Sequence, residues 1–426
     1  MINKNNAAKT PPMGWNSWDC YGAGVTEKDL MANAEYMRDH LKQYGWQYVV
    51  CDIQWYEPTA DSTRYHKFAD LCMDEYSRLI PAENRFPSSA GGRGFSVIAE
   101  KIHAMGLKFG IHIMRGIPRQ AVHGNSKIMC GGITARDIAA PYSICAWNTD
   151  MYGIDANAKG AQEYYDSIFK MYAEWGVDFV KVDDICNTEF SPFNPYSAKK
   201  EIEMIRKAIN NCGREMVLSL SPGPATIDDG HHLSANANMW RLTGDFWDER
   251  EKLHKMFRRC EVWYKYVSEG CWPDCDMLPF GHLNVNASDE RWTRFTKEDQ
   301  ITVMTLWSVF RSPLMFGGNM PDNDEFTLSL LTNQDIIDIN QHSTDNRPVV
   351  CENDRAVWTC LDKDGNTVLA FFNLTDKDME FSVPDGLLAD KEYTITDLWT
   401  KSEIKSFAGS LTIKTDPNSA TILRFK

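Results

Sequence analysis

The stretch Phe179-Val-Lys-Val-Asp-Asp-Ile185 decides how this chain folds. Its apolar residues alternate with charged ones, which predicts a short and largely buried strand. Because a strand interior disfavours charge, we expect Lys181, Asp183 and Asp184 at the carboxyl end of the strand, the end that meets substrate in parallel α/β barrels. Lys181 and Asp183 share one face, so the lysine favours an ionised Asp183. An ionised, positioned carboxylate is a candidate nucleophile for covalent catalysis.

Seven further apolar runs are comparable in length, and amphipathic helical windows lie between most of them. The eight strand candidates are Met13–Trp18, Tyr48–Trp55, Leu107–Met114, Phe179–Ile185, Met216–Ser221, Met239–Asp245, Met277–Gly281 and Pro313–Gly318. Strands that alternate with helices predict an α/β fold, a (β/α)8 TIM barrel over residues 1–346. The aperiodic insert from about Arg115 to Asp155 predicts a loop over the barrel mouth.

The pattern changes after roughly Arg347, where apolar and polar residues alternate in short runs separated by turn residues. The runs are Val349–Leu361, Thr367–Asn373, Met379–Val383, Glu392–Leu398 and Ala420–Phe425. They predict a C-terminal antiparallel β-sandwich over residues 347–426.

Composition and charge exclude several classes of protein. The 426 residues carry a net charge of −14, which argues against nucleic acid or an anionic membrane as a partner. No apolar run approaches the roughly 20 residues of a membrane span, and Met1–Lys9 lacks the apolar core of a signal peptide. We therefore expect a cytoplasmic protein whose 12 cysteines are mostly free thiols. The sequence leaves a homo-oligomer open.

Polar and aromatic side chains gather at the ends of the predicted strands. The candidates are Trp18, Asp52, Lys181, Asp183, Arg241 and Asp245. Aromatic rings stack on the C–H face of a pyranose and charged groups hold its hydroxyls, so this set predicts a carbohydrate substrate. The histidines show no metal-ligand spacing and the sequence has no Gly-rich phosphate loop, so we expect neither a metal nor a cofactor. The single pair Cys271-Trp-Pro-Asp-Cys275 is only a weak zinc signal.

Six recognisable segments follow one another along most of the chain. They are Thr10-Pro-Pro-Met-Gly-Trp-Asn-Ser-Trp18, Trp175-Gly-Val-Asp-Phe-Val-Lys-Val-Asp183, Trp240-Arg-Leu-Thr-Gly-Asp245, Trp272-Pro-Asp-Cys-Asp-Met-Leu278, Ser312-Pro-Leu-Met-Phe-Gly317 and Leu331-Thr-Asn-Gln-Asp335 with Ile339-Asn-Gln341. As an ordered set they resemble glycoside hydrolase family 27, the α-galactosidases and α-N-acetylgalactosaminidases. That family pairs a (β/α)8 barrel with a C-terminal β-sandwich, which agrees with the patterns above.

The resemblance implies roles for individual residues. Asp183, in a Lys-x-Asp motif, would be the nucleophile, and Asp245, in Arg-x-x-x-Asp, the acid/base. Such a pair suits a retaining glycosidase, in which one carboxylate forms a glycosyl-enzyme while the other protonates the leaving oxygen. By family position Lys181 and Arg241 would bind sugar hydroxyls, and Trp18 would stack under the ring.

Three further aspartates receive weaker predictions. By family position, Asp52 would bind O4 or O6 of the sugar. Asp248 follows Asp245 by three residues, so it could support the acid/base from behind, although a cap or loop-fixing role is equally consistent. Asp184 points to the face opposite Asp183, which favours a structural role.

The chain departs from the family at several positions. Galactose-specific members usually carry two adjacent aspartates where this chain has Asp52-Ile53, so one hydroxyl contact is missing or Gln54 replaces it. His112 stands where a tyrosine is common, and we assign it to substrate binding. Arg115 and Arg119 could bind an acidic substituent, but ion pairs that scaffold the loop are favoured.

The fifth strand carries the residue that bears most on the sugar. Ser221 aligns with the small residues of N-acetylgalactosaminidases, and a short hydroxyl leaves volume for an acetamido group. Ser221 therefore slightly favours an α-N-acetylgalactosaminide over an α-galactoside as the substrate. The Ile53 position also leaves room for β-L-arabinopyranosides, which resemble α-galactosides without C6.

The sequence therefore predicts a retaining exo-glycosidase that acts on a terminal α-galactosyl-type residue by double displacement. Two hypotheses from other classes compete with it. A carbohydrate-binding protein on a degenerate glycosidase scaffold would explain the altered positions, but it has no use for both Asp183 and Asp245. A metal-dependent barrel enzyme lacks clustered ligands in the sequence.

Overall fold

The computed structural model describes residues 3–61, 64–188, 196 and 198–426. Its barrel is built from eight strands: β1 Met13–Asn16, β2 Tyr48–Cys51, β3 Lys108–Met114, β4 Phe179–Asp183, β5 Val217–Leu220, β6 Met239–Arg241, β7 Trp272–Asp274 and β8 Leu314–Phe316. Nearly every strand residue is buried, because helices cover the outer face of a parallel barrel and side chains fill its interior. The predicted TIM barrel is confirmed.

All neighbouring barrel strands are parallel, in the order β7-β6-β5-β4-β3-β2-β1-β8. The predicted seventh strand, Met277–Gly281, is wrong: the strand lies earlier, where Trp272 pairs with Met239 and Asp274 with Arg241. Pro273 interrupts the apolar alternation there, so the run beginning at Met277 was the more conspicuous one. Leu278 still closes the barrel, through a single parallel bridge to Phe316.

Helices follow most of the strands. The longer ones are Glu27–Tyr36, Ser96–Ala104, Ala161–Trp175, Lys199–Asn211, Gly230–Asn236, Arg250–Trp263, Lys297–Phe310, Glu325–Leu331 and Gln334–His342. Two of them begin with capping boxes: Thr26 and Thr296 each accept a hydrogen bond from the amide of the aspartate three residues later. The caps fix the residues at which these two helices start.

The insert between β3 and β4 is more ordered than the predicted loop. It contains the helices Arg119–Gly124 and Ala135–Ile138. It also forms a small three-stranded antiparallel sheet from Ile117–Pro118, Ala139–Ile144 and Met151–Ile154. Its strands are short and their pairing is interrupted by a register shift. The sequence therefore shows no extended alternation of apolar and polar residues there.

The C-terminal unit is an antiparallel β-sandwich, as predicted. Its strands are β9 Thr344–Cys351, β10 Arg355–Leu361, β11 Thr367–Asn373, β12 Met379–Ser382, β13 Glu392–Asp397, β14 Glu403–Phe407, β15 Thr412–Thr415 and β16 Ala420–Phe425. Six strands form one sheet, in the order β9-β10-β11-β16-β13-β14, while β12 pairs with β15. β9 begins before residue 347, and the exact domain boundary stays a prediction.

The sandwich packs on the barrel through the helix Lys297–Phe310, almost all of which is buried. Trp399 donates its indole N–H to the hydroxyl of Thr305 at 2.9 Å, and Thr302 donates to the carbonyl of Asn418 at 3.1 Å. These contacts place the helix between the barrel and the sandwich, so most of its sides are buried and it shows no single apolar face.

All 12 cysteines are free, and most are buried. Within the described residues, no helix is long and apolar enough to cross a membrane. The cytoplasmic location and any oligomeric state stay predictions.

Candidate active site

The carboxyl ends of the barrel strands surround a cavity of about 360 Å³. It holds six of the sequence-predicted site residues together: Trp18, Asp52, Lys181, Asp183, Arg241 and Asp245. They come from four strands: Trp18 follows β1, Asp52 follows β2, Lys181 and Asp183 lie in β4, and Arg241 and Asp245 end and follow β6. Residues far apart in sequence therefore meet at one mouth.

Asp183 ends β4 and receives two hydrogen bonds. The Nε2 of His112 donates to its Oδ2 at 2.9 Å, and the hydroxyl of Ser221 donates to its Oδ1 at 2.7 Å. Burial alone would raise the pKa of Asp183, but the nearby Lys181 ammonium and these two donors outweigh burial and hold the pKa well below its usual value. The carboxylate is therefore ionised and fixed in orientation.

Lys181 and Asp52 form the polar floor beside Asp183. The Nζ of Lys181 lies 2.9 Å from the Oδ2 of Asp52, and Asn16 donates to the same oxygen at 2.7 Å. Burial would lower the pKa of Lys181, but the charges of Asp52 and Asp183 outweigh it and raise that pKa. One ammonium thus sits between two carboxylates, where it can also donate to a bound hydroxyl.

Asp245 lies at the mouth, and its side chain is 63% exposed. The Nη2 of Arg241 contacts its Oδ1 at 3.2 Å and contacts the buried Asp276 at 2.5 Å. Asp276 also accepts the backbone N–H of Phe246 at 2.7 Å. Arg241 is therefore held from behind by Asp276 while it faces Asp245, which leaves the exposed carboxylate free to exchange protons with solvent or substrate.

Asp248 does not contact Asp245. Its carboxylate pairs with both terminal nitrogens of Arg291, at 2.6 and 2.8 Å, and accepts the N–H of Arg294 at 2.6 Å. The Arg291 guanidinium in turn lies 5.9 Å from the ring centroid of Trp247. Asp248 therefore fixes a loop and, through Arg291, the ring of Trp247, which is the loop-fixing alternative; its support of the acid/base stays a prediction.

His112 and Ser221, predicted to bind substrate, both turn their polar atoms toward Asp183. His112 is fully buried and does not line the main cavity. Gln54 does not replace the missing carboxylate, since its amide donates to Asp150 at 2.6 Å, outside the cavity lining. The wall next to Asp52 is instead formed by Ile53.

Arg115 is buried and scaffolds the insert, as the favoured prediction held. It pairs with Asp184 at 2.9 Å and with Glu201 at 3.0 Å. Asp184 thereby takes the structural role predicted for it. The guanidinium of Arg119 lies over the rings of Phe68 and Tyr152, at 5.2 and 4.8 Å from their centroids.

Sequence reasoning missed the aromatic residues of the mouth. Tyr65, Trp147 and Trp247 line the cavity together with Trp18. Tyr65 and Trp147 come from loops without strand or helix periodicity, so no local pattern marks them. Trp247 could have been found, because it follows Asp245 by two residues in the same strand-end segment.

Among the described residues, no group of three or more His, Cys, Asp or Glu side chains could hold a metal ion. Five aspartates line the cavity, and two of them, Asp183 and Asp245, lie in different environments; a largely buried ammonium, a guanidinium and aromatic rings complete the lining. One carboxylate is buried and held ionised, and the other is exposed at the mouth. On a (β/α)8 barrel these features define a glycoside hydrolase that acts on a carbohydrate.

Comparison with known proteins narrows this class. Residues 154–342 match the family model described as Alpha galactosidase A, and residues 352–425 match the Alpha galactosidase C-terminal beta sandwich domain. The chain is 25% identical to Alpha-galactosidase 2 of Arabidopsis thaliana, over 98% of this chain and 90% of that protein.

Two solved structures are more similar. The chain is 53% identical to a family 27 β-L-arabinopyranosidase from Geobacillus stearothermophilus, with a TM-score of 0.96 and coverage of 99% of this chain and 98% of that one. It is 51% identical to a putative α-N-acetylgalactosaminidase from Bacillus halodurans, with a TM-score of 0.87 and coverage of 98% and 97%. The chain belongs to glycoside hydrolase family 27.

Proposed function

We propose that the chain is a retaining exo-β-L-arabinopyranosidase, and the observation that carries this is Ile53 in the cavity wall beside Asp52. β-L-arabinopyranose matches α-D-galactopyranose at C1 to C4 and lacks the hydroxymethyl group. An aliphatic side chain there suits a ring with no exocyclic hydroxyl. A galactosyl O6 pressed against Ile53 would lose hydration without gaining a partner from that side chain.

The geometry of Ser221 weakens the competing α-N-acetylgalactosaminide hypothesis. That hypothesis needed its hydroxyl to face the 2-substituent of the sugar, but the hydroxyl donates to Asp183 at 2.7 Å and Ser221 is 1% exposed. The cavity wall after β5 consists of Pro222 and Gly223, which offer no side-chain donor to an acetamido carbonyl. The similarity to the Geobacillus enzyme supports the arabinoside.

In the proposed mechanism Asp183 attacks the anomeric carbon and Asp245 protonates the departing glycosidic oxygen. Asp183 suits the first role because Lys181, His112 and Ser221 keep its carboxylate ionised and oriented. The exposed Asp245 suits the second, since it must later take a proton from the water that releases the sugar. The resulting glycosyl-enzyme and its hydrolysis retain the anomeric configuration.

The remaining cavity residues would hold the ring. Lys181 and Asp52 can donate to and accept from adjacent hydroxyls, as a charged pair does for a bound sugar. Arg241 would keep Asp245 in position, and Trp18 offers part of its ring to the cavity. A non-catalytic sugar-binding protein would not need one buried, ionised carboxylate and one exposed carboxylate in the same cavity.

The test is a panel of nitrophenyl glycosides: β-L-arabinopyranoside, α-D-galactoside, α-N-acetylgalactosaminide and α-D-glucoside. We expect the highest kcat/KM on the arabinoside. An unpaired buried hydroxyl costs about 1–3 kcal/mol, so the galactoside should be slower by roughly 5- to 150-fold. Preference for the galactoside or the N-acetylgalactosaminide would overturn the assignment.

The variant Ile53→Asp tests directly whether Ile53 selects the sugar. It supplies an acceptor for O6, so the ratio of arabinosidase to galactosidase activity should fall by about tenfold or more, the equivalent of one hydrogen bond. Ile53→Val is the matched control, since it keeps an apolar wall and should keep the wild-type preference. An unchanged ratio in Ile53→Asp would mean that Ile53 does not select the sugar.

A further inference from the structure

Asp19 is a buried carboxyl group in the cavity that none of the roles above uses. It lines the same cavity as Asp183 and Asp245, and it is only 4% exposed. Its Oδ2 is fully buried and has no hydrogen-bond partner among the described residues. Because buried polar groups are nearly always hydrogen-bonded, an unpaired one in a binding cavity calls for a partner that arrives with the ligand.

The packing of Asp19 places its carboxyl group across the cavity from the candidate nucleophile. Asp19 follows β1, but its carboxyl group lies against Gly317, which follows β8, so closely that a Cβ on Gly317 would collide with it. Asp183 ends β4. In the closed barrel β8 is separated from β4 by β3, β2 and β1 on one side and by β5, β6 and β7 on the other. The carboxyl groups of Asp19 and Asp183 therefore lie on opposite sides of the cavity.

The surroundings of Asp19 favour its neutral form. Burial raises the pKa of Asp19 well above its usual value, and the charge of Asp276 raises it further. Lys181 and Arg241 oppose this rise, while Asp245 adds to it. The carboxyl group therefore keeps its proton, and a neutral carboxyl group can both donate and accept a hydrogen bond, as a sugar hydroxyl does.

The position of the nucleophile determines which part of the sugar meets Asp19. C1 must lie against Asp183, which attacks it. In a six-membered ring C4 is opposite C1, and C3 and C5 are next to C4. C5 of β-L-arabinopyranose carries no hydroxyl, so the hydroxyls at C3 and C4 are those on the far side from Asp183. Lys181 and Asp52 approach the ring from β4 and β2, which leaves the side of β8 to Asp19.

We propose that Asp19 is a substrate-binding residue whose carboxyl group hydrogen-bonds the hydroxyl at C3 or C4 of the terminal sugar, in the space that Gly317 leaves open. This rests on the proposed glycosidase function, in which C1 lies against Asp183. A sugar without that hydroxyl would leave the buried carboxyl group unpaired, so Asp19 contributes to the selection of the sugar.

The experiment compares Asp19→Ala with the wild-type full-length enzyme on nitrophenyl β-L-arabinopyranoside and on its 2-, 3- and 4-deoxy analogues. On the parent glycoside kcat/KM should fall about three- to tenfold, as expected for one neutral hydrogen bond. On either the 3-deoxy or the 4-deoxy analogue the variant should match wild type, because the contacted hydroxyl is already absent. On the 2-deoxy analogue the loss should persist. Comparing both enzymes on each analogue cancels the intrinsic reactivity of that analogue.

Two further variants separate the contact from a structural role. Asp19→Asn keeps a donor and an acceptor, so it should retain most of the activity on the parent glycoside. Gly317→Ala keeps the carboxyl group but displaces it, and since Gly317 has no positive φ the alanine is conformationally allowed. It should reproduce the deoxy pattern of Asp19→Ala. Asp39→Ala is the matched control, because Asp39 is 52% exposed in a surface pair with Arg38. It should leave every rate unchanged.

Equal losses on all four glycosides in Asp19→Ala and Gly317→Ala would show a structural role and overturn the contact. A loss that disappears only on the 2-deoxy analogue would also overturn it. If Asp19→Ala does not fold, as judged by circular dichroism, Gly317→Ala gives the same comparison. If wild type cleaves the galactoside and not the arabinoside, the proposed function fails instead, and the deoxy galactosides then test Asp19, since galactose carries the same hydroxyls at C2 to C4.

Discussion

The imidazole Nε2 of His112 lies 2.9 Å from the Oδ2 of Asp183, at a site where the histidine has no exposure to solvent. This donor helps to keep the pKa of Asp183 low against the effect of burial. His112→Phe removes it. The pKa of Asp183 should then rise, so the acidic limb of the kcat/KM profile should move to higher pH.

The size of the His112 effect can also be estimated. A hydrogen bond to a charged group contributes about 1.5–3 kcal/mol, so kcat/KM at the optimum should fall about 10- to 100-fold. The measurement is a pH–rate profile on a nitrophenyl glycoside. His123→Phe, on an exposed helix outside the main cavity, is the control. An acidic limb that stays in place would show that His112 does not stabilise the ionised nucleophile.

Asp183→Asn should leave the fold intact and remove turnover. The amide keeps the shape of the carboxylate but cannot form a glycosyl ester, and covalent catalysis supplies much of an acceleration of about 10⁶-fold or more, so we expect a loss of at least about 10³-fold. Steady-state rates and circular dichroism measure the two outcomes. Wild-type-like turnover in a folded variant would contradict the assignment.

Asp245→Ala should discriminate between leaving groups. General acid catalysis contributes roughly 10²- to 10⁴-fold, but a nitrophenolate leaves with little protonation. The variant should therefore lose far more activity on methyl β-L-arabinopyranoside than on the formation of the glycosyl-enzyme from a dinitrophenyl glycoside. Pre-steady-state release of dinitrophenolate gives the second rate. Equal losses would assign the proton to another group.

Arg115→Met should destabilise the protein strongly. It leaves Asp184 and Glu201 as buried carboxylates without their guanidinium partner, and breaking a buried ion pair costs about 3–5 kcal/mol. Urea unfolding measures the change. Arg355→Met is the control, because its pair with Glu352 is exposed and should contribute only about 0–1 kcal/mol. Similar losses in both variants would contradict the role of Arg115.

Much of the fold was predictable because it depends on local pattern. Seven of the eight barrel strands overlap their predicted runs, since parallel strands buried on both faces appear as short apolar runs. The seventh strand could not be placed from the sequence, because Pro273 and Asp274 interrupt its apolar run. It is a strand because its backbone pairs with β6. β14 and β15 were not predicted, because the residues of β14 are mostly exposed and β15 has only four residues, three of them polar.

The sequence predicted which residues belong to the candidate site better than it predicted which groups they contact. Asp183, Asp245, Lys181, Asp52, Arg241 and Trp18 share one cavity, as the strand-end argument and the family resemblance implied. Ser221, His112 and Asp248 are near it, but each bonds to a protein group that the sequence did not indicate. Their assigned roles in catalysis stay proposals.

The sequence by itself determined the family, the barrel and sandwich, and the two carboxylates proposed for catalysis, because strand periodicity and strand-end residues are local features. Only the tertiary structure decided which way the side chains turn. His112 reaches Asp183 across 71 positions, and Arg291 reaches Asp248 across 43. Such partners are set by how the barrel curls and how its loops pack, and no local spacing encodes them. The aromatic mouth of Tyr65 and Trp147 exists for the same reason.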